Sequence, residues 1–187
     1  ISDSTFYNCE NLTSVTIPST VTEILSYAFY NCKALEAVVI PDGVEVINTY
    51  SFNNCIKMTS LTIGAGVKEI NSSAFKYCEA LPTVTIPKNV TKIAGDAFGS
   101  CKSLTEFIVD SENTAYSAVN KMLYSKDGTT AIMCPVALAG EITIPAGTYE
   151  GQTEDVTTVT VKATLIVSSS AKEDDVYKLT KAIFDNI

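Results

Sequence analysis

An internal repeat with a 23-residue period limits how this chain can fold more than any other feature of its sequence. A phenylalanine preceded by a small residue recurs at that interval, at positions 6, 29, 52, 75 and 98. Four further columns keep the same step: Cys at 9, 32, 55, 78 and 101; Leu or Met at 12, 35, 58, 81 and 104; Val, Leu or Phe at 15, 38, 61, 84 and 107; and Ile or Val at 17, 40, 63, 86 and 109. Columns that stay in register over successive periods indicate units that stack on one another and share one core.

Each repeat contains one segment with the pattern of a β-strand that has one covered face. Val15 and Ile17 alternate with Ser14 and Thr16, which is the two-residue period of a strand. Equivalent strands in successive turns are expected to pair in parallel. Proline lacks the N–H that a strand ladder needs, so it marks a corner after the strand, at Pro18, Pro41 and Pro87. The sequence therefore predicts a solenoid with a short parallel strand in each 23-residue turn.

The repeat is specific enough to suggest a family. Its pattern is Ala-Phe, two residues, Cys, two residues, Leu, two residues, Val, one residue and Ile-Pro, and it resembles the BspA-like leucine-rich repeats of bacterial surface proteins over residues 1–110. That resemblance implies a right-handed leucine-rich-repeat solenoid in a cell-surface or secreted protein that adheres to host or neighbouring-cell proteins. The chain opens in mid-repeat, so we expect a fragment of a longer, extracellular precursor whose signal peptide is not in this sequence.

Residues 111–140 are predicted to form a β-hairpin insert that ends the repeat array. Asp127-Gly128 lies between two apolar runs and is a strong signal for a tight hairpin turn. The stretch from Val109 to Tyr116, followed by residues 122–130 and Cys134-Pro135, also resembles a hairpin insert common in the same family.

Residues 141–187 differ in kind from the repeats. Residues 156–167 are rich in β-branched side chains and are predicted to be a strand, and a helix is expected from about Ala171 to Asn186. Ser170 and Glu173 form a capping box at its start. The segment resembles the C-terminal part of TAXI-type solute receptors of TRAP transporters, a family that binds small acidic solutes in a two-lobed cleft. The lobes are absent here, so no ligand residue is carried over; a natural fusion, a degenerate relic and an artificial junction stay open as explanations.

The charge balance and the missing residue types exclude several classes of function. The formal net charge is -8, with 21 acidic residues against 13 basic ones, all lysine, which disfavours nucleic acid and anionic membranes as partners. The chain has no His, the side chain best suited to proton transfer near neutral pH. No apolar run approaches the roughly 20 residues that span a bilayer. We therefore expect no catalytic site, no cofactor, no metal site and no membrane insertion in this fragment.

The cysteine column is expected to be an internal ladder rather than a reactive or metal-binding site. A free cysteine behaves as a small buried hydrophobe, and cysteines that recur only once per repeat match no short metal-binding motif. Side chains stacked in parallel point the same way and have poor geometry for a disulfide. We predict free thiols throughout, including Cys134.

Two sets of residues are candidates for a binding surface. The first set lies at outward positions of the strands, where small and hydroxyl-bearing side chains dominate, and includes Thr16, Val39, Thr62 and Thr85. The second set is aromatic and consists of Tyr27 and Tyr50, in equivalent places of adjacent turns, with Tyr7 and Tyr30 nearby. Exposed aromatic residues are favoured contact anchors. A solvated sheet, and tyrosines packed along a solenoid flank, would produce the same two patterns.

Three hypotheses about function follow. The first is a non-catalytic protein-interaction or adhesion module whose partner is a protein of a host or neighbouring cell, with a glycan as the other candidate ligand. The second is a component or relic of a TRAP-type receptor for a small acidic solute, which rests on residues 141–187 alone. The third is an enzyme that uses carboxylates. It has the weakest basis, because no two acidic residues have a sequence-based reason to face each other across a cleft.

Overall fold

The computed structural model describes residues 1–144, 153–161 and 164–166, and in this part of the chain each turn of the repeat contributes short strands at two places. The first set consists of β2 (Ala37–Val39), β4 (Ser60–Thr62), β6 (Thr83–Ile86) and β8 (Glu106–Val109). The second set consists of β1 (Glu23–Ile24), β3 (Val46–Ile47), β5 (Glu69–Ile70) and β7 (Lys92–Ile93). The chain is thus a solenoid of parallel strands, as the period predicts.

The strands of the first set are those predicted from the alternating pattern. β2 pairs in parallel with β4, and β6 with β8, while Ser14 bridges Ala37 and extends the column into the first turn. The ladder is interrupted between β4 and β6. At the residue before β4, the Thr59 N–H donates to the carbonyl oxygen of Glu36 at 2.9 Å. The residue before β6 is Pro82, which has no N–H to donate, and this explains the interruption.

The second set forms a continuous parallel sheet in the order β1-β3-β5-β7. Its isoleucines lie opposite one another in register and are buried: Ile24, Ile47, Ile70 and Ile93. The sequence pattern predicted only the strands of the first set. An apolar pair does recur at these places, at Val21/Ile24, Val44/Ile47, Val67/Ile70 and Val90/Ile93, but two residues per strand are too few to show the alternation that indicates a strand.

A third segment of each turn, residues 26–31 in the second turn, is neither strand nor helix, yet backbone hydrogen bonds tie it to the next turn. The N–H groups of Tyr27, Phe29 and Asn31 donate to the carbonyl oxygens of Thr49, Ser51 and Asn53 at 3.2, 2.7 and 2.8 Å. Between them, bonds such as Tyr30 N to Tyr27 O close tight turns within the segment. Along the segment, N–H groups that donate to the next turn therefore alternate with N–H groups that donate within the segment. This alternation sets where the side chains of the segment point.

Columns of stacked side chains fill the interior. Phenylalanine rings at positions 6, 29, 52, 75 and 98 lie face to face, with neighbouring centroids 4.9 to 5.3 Å apart. The last four of these rings are fully buried. Stacking at the distance between turns makes each ring complete the packing surface of the next, so no turn has a closed core of its own.

The cysteine column is an internal ladder from the second turn onward. The thiols at positions 32, 55, 78 and 101 are buried, and each donates to the carbonyl oxygen of the phenylalanine in the preceding turn at 3.2 to 3.4 Å. Cys9, in the first turn, departs from the prediction because it is exposed. All six cysteines are free thiols.

Residues 111–140 contain the predicted hairpin and a second one. β9 (Tyr116–Val119), β10 (Met122–Ser125) and β11 (Ala131–Met133) form an antiparallel sheet in the order β11-β10-β9. The turn between β10 and β11 contains Asp127 and Gly128, as predicted, with Gly128 at φ 72°. The turn between β9 and β10 uses Asn120 and Lys121, at φ 49° and 69°. Lysine is an unusual second residue for such a turn, so the sequence carried no glycine signal there.

Asn113 and Tyr116 join this sheet to the last turns of the solenoid. Asn113 Nδ2 donates to the carbonyl oxygens of Pro87 and Val90 at 2.7 and 3.0 Å. The Ile93 N–H donates to Tyr116 Oη at 2.8 Å. Asn113 and Tyr116 each lie 23 positions after a core residue, Val90 and Ile93, so the period of the solenoid continues into the insert.

The part of the C-terminal segment that the structure describes is a separate antiparallel sheet. β12 (Gly140–Ile144) pairs with β13 (Val156–Val161), which pairs with β14 (Thr164–Ile166). The prediction of one strand over residues 156–167 is wrong, because this run contains two strands, β13 and β14, which pair with each other in antiparallel orientation. The helix predicted from Ala171 to Asn186 lies outside the described residues.

Candidate interaction surface

The four tyrosines predicted as contact residues form one patch, the tyrosine cluster (Tyr7, Tyr27, Tyr30 and Tyr50). Tyr7 stacks on Tyr30 with centroids 5.1 Å apart, and Tyr27 stacks on Tyr50 at 5.0 Å. The two stacks meet where the edge of Tyr27 contacts Tyr30 at 5.6 Å. The third segment of each turn aligns these rings, because its inter-turn hydrogen bonds hold equivalent residues in register. The cluster is therefore a continuous aromatic surface over three turns.

Two members of the cluster occupy a backbone conformation that disfavours large side chains. Tyr27 and Tyr50 have φ angles of 57° and 58°, in the left-handed region. The equivalent places in the first and fourth turns hold Ser4 and Ser73, at φ 56° and 54°. A residue other than glycine typically costs about 1–2 kcal/mol there, and Asn or Asp costs less. Tyrosine is thus a poor choice for the fold alone at these two positions.

The rings of the cluster remain accessible to solvent. Tyr7 is 47% exposed and Tyr27 36%, while Tyr30 and Tyr50 are half-buried. In the turn that follows each stack, the equivalent residue is short and buried: Asn53 after Tyr30 and Ser73 after Tyr50. On the side of the following turn, the rings of Tyr30 and Tyr50 therefore have a small side chain as their neighbour in the column instead of another ring.

Asp96 continues the column that begins with Ser4, Tyr27, Tyr50 and Ser73. Its carboxylate accepts hydrogen bonds from the Ser72 and Ser73 hydroxyls and from the Ser73 N–H. Burial acts to raise the pKa of Asp96, but these hydrogen bonds outweigh it and hold the pKa below its ordinary value. The side chain of Asp96 therefore reaches back to the fourth turn and places a fixed negative charge beside Ser72 and Ser73, one turn beyond Tyr50.

Tyr77 is an exposed aromatic residue that the sequence analysis did not single out. It is 41% exposed, has φ 63°, and lies beneath the Lys76 ammonium, which is 5.4 Å from the ring centroid. The sequence contains a signal for this residue, because Tyr77 takes the place that Asn8, Asn31 and Asn54 occupy in the earlier turns at the repeat interval. Those asparagines bond to one another across turns, as in Asn31 Nδ2 to Asn8 Oδ1 at 2.8 Å, so a tyrosine in this column ends the amide ladder.

The predicted strand positions lie on a different segment of each turn from the tyrosine cluster. Thr16, Val39, Thr62 and Thr85 are all exposed, and Val39 reaches 62%. Ile108, in line with them, is 47% exposed, whereas Thr83 and Glu106 are half-buried. The outward pattern is therefore as the alternation indicates, and a binding role for this face stays a prediction.

Charged side chains in the repeat link one turn to the next. Four lysines each pair with a glutamate in the equivalent place of the preceding turn, at N–O distances of 2.7 to 2.9 Å: Lys33–Glu10, Lys68–Glu45, Lys92–Glu69 and Lys102–Glu79. All of these side chains are substantially exposed, so each pair contributes about 0–1 kcal/mol. These pairs involve many of the lysines in the repeat. The acidic residues outnumber the lysines, so the net charge of the repeat is negative.

The buried thiols are poorly suited to chemistry. Burial raises the pKa of Cys32 to about 11 and that of Cys101 to about 12, and it also raises the pKa of Cys55 and Cys78. A thiol that holds its proton is a weak nucleophile and a weak metal ligand. Within the described residues, no three His, Cys, Asp or Glu side chains come together in a way that could hold a metal ion. Those residues also contain no helix of the length and hydrophobicity needed to span a bilayer.

Solved structures with a similar fold are bacterial leucine-rich repeat proteins. The pneumococcal vaccine antigen PcpA is 27% identical, with a TM-score of 0.60 over 66% of this chain and 37% of the antigen. A leucine-rich cell surface protein from Faecalibacterium prausnitzii is 27% identical, with a TM-score of 0.60 over 77% of this chain and 44% of its own. A leucine-rich repeat protein from Bacteroides ovatus is 34% identical, with a TM-score of 0.56 over 74% of this chain and 36% of its own. The chain thus spans less than half the length of these proteins.

Comparison with sequence families divides the chain in two. Residues 115–187 match the NMT1-like family, which gives only weak support to the solute-receptor resemblance. No curated protein matches the chain. Residues 1–122 match the family described as the BspA type leucine rich repeat region, in six copies, and this match covers most of the chain and all turns of the solenoid. The chain therefore belongs to the BspA-type leucine-rich repeat family.

Proposed function

We propose that this chain is a non-catalytic protein-interaction module of a bacterial cell-surface or secreted protein, and that it makes adhesive contacts through the tyrosine cluster. The observation that carries the proposal is the conformation of Tyr27 and Tyr50. Both hold an accessible, stacked ring on left-handed backbone where the other turns have serine or aspartate. Strained residues of this kind are retained where they serve a function.

The chemistry of the cluster suits a protein partner. Tyrosine offers a large apolar ring with a hydroxyl donor, and few rotatable bonds are frozen when it is buried at an interface. In the tyrosine cluster, stacking on Tyr7 and Tyr50 already restricts Tyr30 and Tyr27. Less side-chain entropy is then lost on binding, which strengthens the interaction.

The family and the names of similar proteins support a surface location. The F. prausnitzii protein is called a cell surface protein, and PcpA a vaccine antigen. The absence of His, and thiols that hold their protons, support a non-catalytic role. A protein of a host or neighbouring cell is the proposed partner, and a glycan bound on the strand face of Thr16, Val39, Thr62 and Thr85 is the alternative ligand.

A capture experiment with matched variants tests this proposal. The immobilised 187-residue chain is exposed to purified extracellular-matrix proteins, and capture is compared with a Tyr27→Asn/Tyr50→Asn variant. Asparagine tolerates left-handed φ, so the variant keeps its fold, and we expect capture to fall at least tenfold. A Val39→Ser/Thr62→Ala variant of the strand face serves as control and should bind as the parent does. Undiminished capture by the tyrosine variant would remove the cluster from the proposed function.

The alternative is a component or relic of a receptor for small acidic solutes, which the resemblance of residues 141–187 suggests and the NMT1-like match at residues 115–187 supports weakly. A ligand that binds only the folded chain raises its melting temperature, by an amount set by the ligand concentration relative to Kd. Thermal unfolding with and without millimolar glutamate distinguishes the two functions. We expect no shift if the chain is an interaction module, and a reproducible rise would favour the solute-binding alternative.

A further inference from the structure

The tyrosine cluster gathers most of the oxidisable side chains that solvent can reach in the described residues. The chain has no tryptophan and no histidine, and its three methionines, at positions 58, 122 and 133, are buried. Four of the six cysteines are buried as well, so Cys9 is the one exposed thiol and Cys134 is half-buried. Oxidation of methionine and cysteine requires access. An oxidant in solution therefore meets the phenol groups of the cluster before most other reactive groups.

Stacking aligns the rings of the cluster in pairs from adjacent turns. Tyr27 and Tyr50 share nearly the same φ, 57° and 58°, and their rings lie within 16° of parallel with centroids 5.0 Å apart. The carbons ortho to the two hydroxyl groups therefore lie along the same edge of the stack. Tyr7 and Tyr30 form the equivalent pair, within 8° of parallel at 5.1 Å. The contact of Tyr27 with Tyr30 at 5.6 Å joins the pairs, so an electron lost at one ring can be replaced from the next.

We propose that the cluster is a site of oxidative modification, at which a haem peroxidase with hydrogen peroxide joins Tyr27 to Tyr50, and Tyr7 to Tyr30, through dityrosine bonds. Each phenol loses one electron and one proton and becomes a phenoxyl radical. The two radicals of a stacked pair couple between ring carbons ortho to the oxygens, and the hydrogen of each coupled carbon moves to the oxygen and restores the hydroxyl group. Two tyrosines and one hydrogen peroxide thus give one dityrosine and two waters. The modification does not depend on the proposed adhesive function.

Other aromatic residues of the repeat lack one of the requirements for this coupling. The phenylalanine rings stack at the same distances, but they carry no hydroxyl and four of the five are fully buried. Tyr77 is exposed, but its column holds Asn54 in the preceding turn and Ser100 in the following one, so neither neighbour in the column is a ring. Only the tyrosine cluster therefore combines access, phenol groups and stacked partners in the repeat.

The consequence of the modification is a covalent link between successive turns. Positions 27 and 50 lie one 23-residue repeat apart, so a bond between their rings closes a loop that contains one full turn of the solenoid. Such a link restricts the unfolded chain in the way that a disulfide does. The modified chain should therefore have a higher melting temperature than the unmodified one, without any change in the order of its strands.

The experiment treats the dilute, intact chain with a haem peroxidase and limiting hydrogen peroxide, and the monomeric product is digested with trypsin. Cys9→Ser is present throughout, because an exposed thiol reduces phenoxyl radicals. The chain has no arginine, so trypsin separates residues 1–33 from residues 34–57, and Tyr50 is the one tyrosine of the second peptide. We expect dityrosine fluorescence, a higher melting temperature, and a joined peptide that is lighter than the sum of the two by two hydrogen atoms.

Phenylalanine variants assign the bond, because they keep the ring and its stacking but remove the hydroxyl. Tyr27→Phe and Tyr50→Phe should each abolish the joined peptide, whereas Tyr77→Phe, at an exposed tyrosine outside the cluster, should leave its yield unchanged. Absence of the joined peptide from the monomeric product would overturn the inference, as would its undiminished formation in the Tyr27→Phe variant. Capture of matrix proteins is measured with the unoxidised chain, so failure of either experiment leaves the other result intact.

Discussion

Ser51 illustrates how closely a single side chain must match the repeat. It occupies a column that holds Thr5 in the first turn and Ala28, Ala74 and Ala97, all fully buried, in the other three. Its Oγ is buried and has no hydrogen-bond partner among the described residues. A hydroxyl that loses its contacts with water and gains none inside the protein destabilises the folded state.

We therefore expect Ser51→Ala to stabilise the chain by about 1 kcal/mol, because alanine already fits this column in three other turns. The free energy of unfolding in urea, fitted with a constant slope, measures the change. Ser73→Ala is a matched control at another buried serine, whose hydroxyl donates to Asp96, and it should lose stability instead. Destabilisation by both substitutions would show that the Ser51 hydroxyl has a partner in solution.

At the level of elements, the junction between the solenoid and the β9–β11 sheet depends on Asn113. This buried side chain donates to Pro87 and Val90, and its Oδ1 accepts from the N–H groups of Ala115 and Tyr116 at 2.9 and 2.7 Å. It thus satisfies backbone groups on both sides of the junction. Few amide side chains use all of their hydrogen-bonding capacity in this way.

Asn113→Ala should accordingly cost about 2–4 kcal/mol, since it leaves several buried backbone groups without partners. Asn89→Ala is the comparison, because Asn89 is exposed and makes one bond, to Ala65 O at 2.8 Å, so its loss should cost under about 0.5 kcal/mol. Hydrogen exchange should also show faster exchange of the Ile93 and Tyr116 amides in the Asn113 variant. Similar stabilities for the two variants would contradict this role for Asn113.

The elements with a repeated or alternating pattern could be predicted from the sequence, and the others could not. Val15 and Ile17 indicate the first strand set because the alternation spans several residues, and Asp127-Gly128 indicates one hairpin. β1, β3, β5 and β7 are too short to alternate, and the Asn120-Lys121 turn lacks glycine. For the candidate site, spacing placed the four tyrosines together, but the left-handed backbone at Tyr27 and the position of the Asp96 carboxylate depend on hydrogen bonds between turns.

For the whole molecule, the ladder of buried thiols makes stability depend on alkaline pH. Each thiol binds its proton more tightly in the folded chain than in the unfolded one, because burial raises its pKa from 9.0 to about 11 at Cys32 and to about 12 at Cys101. The stability this provides is fully present below pH 9.0 and is lost as the pH rises through the folded-state values. Each thiol then contributes a fall of about 1.4 kcal/mol per pH unit.

We expect the melting temperature to stay level from about pH 7 to 8.5 and to decline steeply between about pH 9 and 11. Cys32→Ala should make that decline shallower, because it removes one of the groups that drives it. Differential scanning calorimetry over this range, with a reducing agent present, measures both curves. A flat profile up to about pH 11 would mean that the thiols ionise without loss of the fold.

The hydrogen bonds of the third segment run in a single sense. Tyr27, Phe29 and Asn31 donate forward to the next turn, as Phe52 and Phe75 do in theirs, and the carbonyl groups that accept belong to the later turn. The third segments of successive turns therefore form a column of hydrogen bonds with a single direction, in which each turn donates to the turn that follows it. Turns can consequently be added or removed only as whole units in the same orientation. Gene duplication of entire 23-residue blocks can therefore lengthen the array, whereas smaller insertions disrupt it.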